Sequence, residues 1–548
     1  MIRTRTAWLA GAALVVAAGL GALYQYRIYI PGIIDRISDP IAKNQPVVWE
    51  KGPTPTGEKG PPNIIVVLVD DLGINDISTF GGGVADGAVQ TPSIDAIAAE
   101  GATFTSGYAG NATCAPSRAA IMTGRFATRF GFEFTPAPVP FHRLLGSFDY
   151  GPQQAVYHAD READTIPLDD QGLPSEEITV AELLQQRGYR TLFLGKWHLG
   201  GAEKFRPHNQ GFDEWLGFMP GAAMFLPKDH PDVVNSVHDF DPIDRFLWAN
   251  LTYAVSHNGG QRFHPDRYMT DYLADQAVSA IEANAGRPFF MYLALNAPHT
   301  PLQALKSDYD ALSGIADHRL RVYGAMIRAV DRAVGKVEAA LDKAGIADNT
   351  MVIFTSDNGG ASYIGFPDIN KPYRGWKASF FEGGIRVPML VSWPDRIPAG
   401  VVIDEPAAHV DIFATAAAAA GAPLPTDRQI DGQDMLARIA NPDAPPADRA
   451  LFWRSDHYRV LLHKGWKLQV SELPKKTWLF NLNEDPTEQV NLAEREPARL
   501  AAMRAALDAL NAEQATPIWP SLVAPPVYID KNILEEKTPE DEYVNWAN

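Results

Sequence analysis

Asn63-Ile64-Ile65-Val66-Val67-Leu68-Val69-Asp70-Asp71 is the stretch that decides the architecture. From Ile64 to Val69 it is unbroken apolar and mostly β-branched, the pattern of a strand buried on both faces. Strand-like and helix-like segments alternate after it. Helices are expected over residues 93–100, 181–187, 269–284 and 322–343, and strands over 190–194, 289–295, 351–355 and 388–392. Buried strands alternating with helices predict an α/β domain with a large, mostly parallel sheet flanked by helices. Beyond about residue 440 the pattern changes. Short strand-like runs at 451–454, 458–463, 466–470 and 478–481 precede an Ala/Leu/Arg-rich helix over 494–511, which predicts a small C-terminal antiparallel sheet carrying one helix.

Composition narrows the function classes. A hydrophobic content of 46% supplies a sizeable core. The net charge of −18 repels phosphate backbones, so no nucleic-acid partner is expected. Arg3 and Arg5 precede residues 7–24, an uncharged apolar run followed by Tyr24, Tyr26 and Tyr29. About 18 such residues just span a bilayer, and no Ala-x-Ala cleavage site follows, so a membrane anchor is favoured over a cleaved signal segment. Either way the bulk of the chain is exported: anchored and facing the periplasm or exterior, or released there if cleaved. The expected layout is a membrane anchor or signal segment at 1–30, a Pro/Gly-rich linker at 31–62 and the large α/β domain at 63–440. A C-terminal α+β subdomain at 441–515 and a Pro-rich tail at 516–548 complete it.

Chemistry-bearing residues cluster where strands are expected to end. Asp70 and Asp71 follow the first strand, and Asp357-Asn358-Gly359-Gly360 follows the strand at 351–355. In open α/β sheets ligands gather outside the carboxyl ends of strands. Separately these motifs read as a turn carboxylate beside a helix cap, and as a tight turn. Together they offer three carboxylates and an amide oxygen, hard donors suited to Ca²⁺ or Mg²⁺ rather than zinc. Lys196 and His198, in Gly195-Lys196-Trp197-His198-Leu199-Gly200, face one side if the backbone stays extended. His299 lies in Asn296-Ala297-Pro298-His299-Thr300-Pro301, and Lys377 closes Arg374-Gly375-Trp376-Lys377. Cys114, the only cysteine in the chain, opens Cys114-Ala115-Pro116-Ser117-Arg118. It cannot form an internal disulfide. It is either a buried inert thiol or a reactive group with Arg118 one helical turn away.

Cys114-Ala115-Pro116-Ser117-Arg118, continuing through Thr123-Gly124, resembles the type I sulfatase signature, in which the cysteine is oxidised to formylglycine. Residues 188–200 resemble the second sulfatase signature, with Leu194 departing conservatively, and the stretch 479–488 is similar to the sulfatase C-terminal subdomain. The resemblance spans roughly 60–515. It implies an alkaline-phosphatase-like fold and an arylsulfatase-like sulfuric ester hydrolase. By that resemblance a divalent cation, Ca²⁺ or alternatively Mg²⁺, is held by Asp70, Asp71, Asp357, Asn358 and the modified Cys114. The hydrated formylglycine attacks sulfur while Asp357 takes its proton. Arg118 and Lys196 position the diol, Lys377 holds the sulfuryl group, and His299 or Lys377 protonates the leaving oxygen. His198 then deprotonates the remaining hydroxyl and expels sulfate. Glu382 and Arg386 are assigned to loop support, and His208, His257 and His264 to structure or substrate contacts.

The implied partners are a small-molecule sulfate ester, a formylglycine-generating enzyme during maturation, and the membrane through residues 7–24. Aromatic-rich segments at 132–170 and 215–253 are expected at the pocket mouth, pointing to an aryl or similarly apolar leaving group. The alternatives are a phosphate or phosphonate ester hydrolase on the same scaffold, and a non-catalytic binding protein.

Overall fold

A computed structural model describes residues 30–55 and 59–548. In chain order, α1 (Ile30–Ser38), β1 (Asn63–Val69), α2 (Pro92–Glu100), β2 (Ala102–Phe104), α3 (Cys114–Thr123) and β3 (Arg190–Lys196) come first. Then follow β4 (Glu214–Phe218), β5 (Ser256–His257), α4 (Met269–Asn284), β6 (Phe289–Ala294), α5 (His318–Ala344), β7 (Thr350–Ser356), β8 (Met389–Ser392), β9 (Val401–Ile403) and α6 (His409–Ala419), with short elements between. The strands form one nine-stranded sheet in the order β9-β2-β8-β7-β1-β6-β3-β4-β5. Its centre, β7-β1-β6-β3-β4, is parallel, while β8 and β5 join antiparallel to β7 and β4. This is the alkaline-phosphatase-like architecture, a mixed, mostly parallel sheet between helical layers.

Every residue of β1 is buried. Ile65, Val67 and Val69 join a core with Leu273 and Ile281 of α4 and Met326 and Val330 of α5. Ile64, Val66 and Leu68 join the opposite core with Ile121 of α3 and Phe413 of α6. Side chains alternate across a strand, so an unbroken apolar run is what two covering layers demand. The long α5 starts where the Asp317 carboxylate accepts from Leu320 N–H at 2.9 Å, and it ends at Gly345, whose φ of 68° suits glycine.

The C-terminal part is a four-stranded antiparallel sheet in sequential order, β10 (Ala450–Ser455), β11 (Tyr458–His463), β12 (Trp466–Glu472) and β13 (Lys475–Asn481). α7 (Pro497–Ala512) packs on it through buried Met503 and Leu507. The Pro-rich tail lies against the body, with Trp519, Leu522, Ile529 and Trp546 buried.

The segment expected as a linker is also laid on the α/β domain. It carries α1, bridges Phe263 through Ala42 and buries Trp49 in the core. The apolar run at 7–24 lies outside the described residues. Among the described residues no helix is long and apolar enough to cross a membrane.

Candidate active site

Asp70 and Asp71 leave the carboxyl end of β1, Asp357 and Asn358 that of β7, Lys196 ends β3, and His299 follows β6. Adjacent parallel strands therefore deliver their terminal residues to one place. Asp71 turns there with a φ of 60°, its N–H donating to Asp357 Oδ1 at 3.2 Å. Cys114 is the first residue of α3, where Pro116 fits the first turn and Arg118 lies one turn on.

The Cys114 thiol lies 3.5 Å from Asp70 Oδ1 and 3.8 Å from Asp71 Oδ1, and the Lys377 ammonium donates to its sulfur at 3.3 Å. Lys377 also meets both oxygens of Asp71 at 2.8 Å. Lys196 clasps Asp70 at 2.8 and 2.6 Å. Arg118 donates twice to Asp357 Oδ2, at 3.0 and 2.8 Å, and once to the Lys196 carbonyl at 2.8 Å. His299 Nε2 is 3.6 Å from Asp71 Oδ2, and its Nδ1–H donates to the Thr300 carbonyl at 2.6 Å. Three carboxylates thus face three cations around one sulfur, all screened from bulk water.

Burial dominates the electrostatics. It pushes the Asp70 carboxyl up to about 7 in spite of Lys196. Burial also pushes Asp71 upward, but Lys377 and His299 outweigh it and hold that group below the usual carboxylate range. Burial, reinforced by Asp357, raises the Cys114 thiol far above its ordinary value. Burial depresses His299 to about 3, and burial with Lys196 depresses His198, so both imidazoles are neutral.

Donor chemistry for a hard cation is present. Oxygens of Asp70 and Asp71, the Cys114 sulfur and a His299 nitrogen lie within 4.8 Å of one another. Asn358 donates to Asp71 Oδ1 at 2.7 Å and to the Gly359 carbonyl at 2.9 Å. Its own amide oxygen is buried without a hydrogen-bond partner, a group that a cation would satisfy. Asp357 meets the cluster differently, one oxygen taken by Arg118 and the other by the Asp71 N–H.

His198 departs from the extended geometry assumed in the sequence. Its φ is 60°, its Nδ1 is buried without a partner, and its ring lies against Gly221, where a Cβ would come within 2.6 Å of Cε1 and Nε2. Glu382 and Arg386 form a buried pair at 2.9 Å beneath the Lys377 loop. His208 and His264 stack on Trp215 and Tyr253, and His257 packs edge-on to Trp49.

Many aromatic residues of the two segments expected at the pocket mouth are core residues. Phe132, Phe134 and Trp215 are core residues on one face of the sheet, and Phe218, Phe225, Trp248 and Tyr253 on the other. For these residues the composition reflects packing.

Two site residues carry no sequence motif. The Tyr363 hydroxyl donates to Asp71 Oδ2 at 2.9 Å and accepts from Lys377 at 3.3 Å. His409, fully buried at the start of α6, accepts from Gly110 N–H at 3.2 Å through Nδ1. Its Nε2–H therefore donates to Thr355 Oγ1 at 3.1 Å, tying α6 to β7 beside Asp357.

A cysteine at a helix start, a cluster of donor oxygens and the cations of Arg118, Lys196 and Lys377 suit a site that takes an anionic ester. The sulfatase family model matches residues 62–422. N-acetylgalactosamine-6-sulfatase of Canis lupus familiaris is 34% identical over 404 residues, covering 72% of this chain and 69% of that protein. Steryl-sulfatase of Rattus norvegicus is 32% identical over 492 residues, covering 78% of each. The crystal structure of Ps i-CgsB in complex with k-i-k-neocarrahexaose superposes with a TM-score of 0.70 at 31% identity, covering 84% of this chain and 95% of that one. The chain belongs to the sulfatase family and is a sulfuric ester hydrolase.

Proposed function

We propose that this sulfatase hydrolyses sulfate monoesters of carbohydrate hydroxyls, with Cys114 converted to formylglycine as the nucleophile. The observation that carries the nucleophile is the placement of Cys114 Sγ between the carboxylates of Asp70 and Asp71 and the ammonium of Lys377. Formylglycine made at that position supplies a hydrated aldehyde oxygen in place of sulfur. A divalent cation, Ca²⁺ or Mg²⁺, is held by Asp70, Asp71, Asp357, Asn358 and the modified Cys114, with His299 in reach. It supplies Lewis-acid polarisation of an oxygen in the site.

The chain's own groups do the rest. Arg118 and Lys196 hydrogen-bond to Asp357 and Asp70 and bring positive charge to the place where anionic charge develops. Lys377 carries a proton at Nζ beside the sulfur, so it both pairs a sulfuryl oxygen and is the proton source nearest the leaving group. His299, neutral with Nδ1–H bound to Thr300, presents Nε2 as an acceptor. His198, also neutral, is the base for release of sulfate.

A sugar leaving group is favoured over the aryl one expected from composition, because many of the aromatic side chains that suggested it belong to the core. N-acetylgalactosamine-6-sulfatase and the neocarrahexaose complex point the same way. Export with anchorage through residues 7–24, and maturation by a formylglycine-generating enzyme, belong to the same proposal. The test is sulfate release by protein co-produced with such an enzyme, from galactosamine 6-sulfate and sulfated galactan oligosaccharides. Estrone sulfate and para-nitrophenyl sulfate and phosphate are compared, with Cys114→Ala as control. Sugar sulfates turned over fastest, with loss of activity in the variant, is the expected result. A preference of about tenfold or more for the aryl or steroid ester overturns the leaving-group assignment, and faster phosphate release overturns the ester class.

A further inference from the structure

Among the described residues, α1 presents a face that the fold leaves uncovered. Ile30, Ile33, Ile34 and Ile37 fall at i, i+3, i+4 and i+7, one stripe of the helix, and are 41, 51, 58 and 77% exposed. A contiguous apolar patch of this kind approaches the largest that soluble monomers expose, about 300–600 Å². The helix is not free to turn it inward. Gly32 is buried against Asn250, its N–H donating to Asn250 Oδ1 at 2.8 Å, and a Cβ there would lie 2.9 Å from the Asn250 backbone. Asp35 and Asp39 pair with Arg262 at 3.0 and 2.7 Å. Three fixings on the opposite side therefore hold the isoleucines outward.

The contacts of the following segment say which lateral edge of the sheet this face lies beside. Glu50 N–H donates to Glu214, the first residue of β4, at 3.0 Å. Ala42 bridges Phe263, which itself bridges Val255, the residue before β5. β5 runs antiparallel to β4 with Ser256 opposite Gly217, so Ala42 lies by the carboxyl end of β4 and Glu50 by its amino end. The helix before it is tied to the same hairpin through Arg262 and to Asn250, so α1 lies at the lateral edge of the sheet that ends in β5.

We propose that the isoleucine face of α1 rests in the headgroup–acyl boundary of a lipid bilayer, holding the β5 edge of the sheet on the membrane-proximal side. The occupant is named by the chain itself. The uncharged apolar run at 7–24 ends six residues before Ile30, and six residues reach at most about 20 Å. Tyr24 closes the run and Tyr26 and Tyr29 lie in the interval, residues suited to the interface. Short helices with one apolar face lie in that plane. The inference rests on the reading of residues 7–24 as an anchor.

The full chain carrying Cys114→Ser is labelled with bimane at Ile37→Cys. A second protein is labelled at Val402→Cys, an exposed position on β9 at the opposite edge of the sheet. Both are reconstituted with phosphatidylcholine–phosphatidylglycerol vesicles containing nitroxide-labelled lipid. In vesicle-bound protein the label at 37 shifts to the blue and loses at least about half its emission to the nitroxide, while the label at 402 keeps its emission. A bound protein whose label at 37 is unquenched overturns the proposal. If that unquenched label is nonetheless blue-shifted, residues 7–24 or a second copy cover the face instead. Failure to float with vesicles overturns the anchor and this inference together, whereas flotation without quenching overturns this inference alone.

Discussion

Replacing Lys467 with methionine is expected to cost more than any exposed charge change in the molecule. Lys467, on β12, is fully buried, with its ammonium 2.7 Å from Glu382 and 2.9 Å from Glu488. Arg386 meets the other oxygen of Glu382 at 2.9 Å, and Tyr108 donates to the same oxygen at 3.0 Å. Gln469 and the Glu382 N–H donate to Glu488 at 2.9 and 2.6 Å. Two carboxylates and two cations thus balance at the join between the C-terminal sheet and the loop that carries Lys377. Removing one cation leaves a buried carboxylate without its counter-charge, a loss of about 3–5 kcal/mol from a total that is typically about 5–15 kcal/mol. The strain falls under Lys377, whose N–H donates to Gly360 at 3.0 Å within the same loop.

The pH dependence carries its own sign. Burial raises Glu488 to about 7 although Lys467 opposes it, while Lys467 and Arg386 hold Glu382 below the usual range against its own burial. Without Lys467 the Glu488 carboxyl rises further. A group whose folded pKa exceeds its unfolded value contributes stability below the unfolded value and loses it as pH rises through the folded one. The deficit of Lys467→Met should therefore be smaller at about pH 5.5 than at about pH 8.5, and Glu488→Gln added to it should recover part of the loss. Urea unfolding followed by tryptophan fluorescence measures each term. A deficit under about 1 kcal/mol, or one equal at both pH values, would refute the reasoning.

Four further outcomes are expected. Tyr363→Phe removes a hydroxyl that joins Asp71 to Lys377, so kcat/KM for sulfate release should fall about tenfold or more at unchanged thermal stability; an unaltered kcat/KM removes Tyr363 from the site. Gly221→Ala drives a methyl into the His198 ring and should abolish turnover while circular dichroism stays that of the parent; full activity would mean that His198 can vacate its place. Asp76 accepts from Tyr323 and Gly73 at 2.6 and 2.8 Å with no cation beside it, and burial lifts it to about 8, so its folded pKa exceeds the unfolded one. Asp76→Asn should gain stability relative to the parent as pH rises from about 5 toward 9, and a constant difference in urea midpoints across that range contradicts this. Calcium at hundredfold excess over its Kd should raise the unfolding stability of the parent by about 2.7 kcal/mol, and Asn358→Ala should weaken the shift; an equal shift in both removes Asn358 from the ligands.

What the sequence disclosed and what it withheld divide along a physical line. The double-faced burial of β1 is written in six consecutive apolar residues, because two covering layers leave no polar position on the strand. Asp70, Lys196, His299 and Asp357 were legible because parallel strands end together, so residues just past separate apolar runs are brought to one edge whatever lies between. Local composition fails where the answer depends on what docks from elsewhere. Prolines and glycines at 31–62 specify an irregular backbone but not that Trp49 is buried or that Ala42 bridges Phe263. Phe and Trp at 215–253 specify apolar surface but not which way it faces.

Tyr363, His409 and Lys467 were silent for a related reason. Each acts through a partner distant in sequence, namely Asp71, Thr355 and Glu382, and none sits beside a run that fixes its direction. Such residues act indirectly; they set the positions of Asp71, of β7 and of the Lys377 loop. A family signature records groups that chemistry forbids to change, whereas a hydroxyl beneath Asp71 or an ammonium beneath Glu382 can be supplied from any neighbouring element that reaches. The positions hardest to read from sequence are therefore those that act through a partner on another element, and Tyr363 and Lys467 are where substitution should first alter rate and stability.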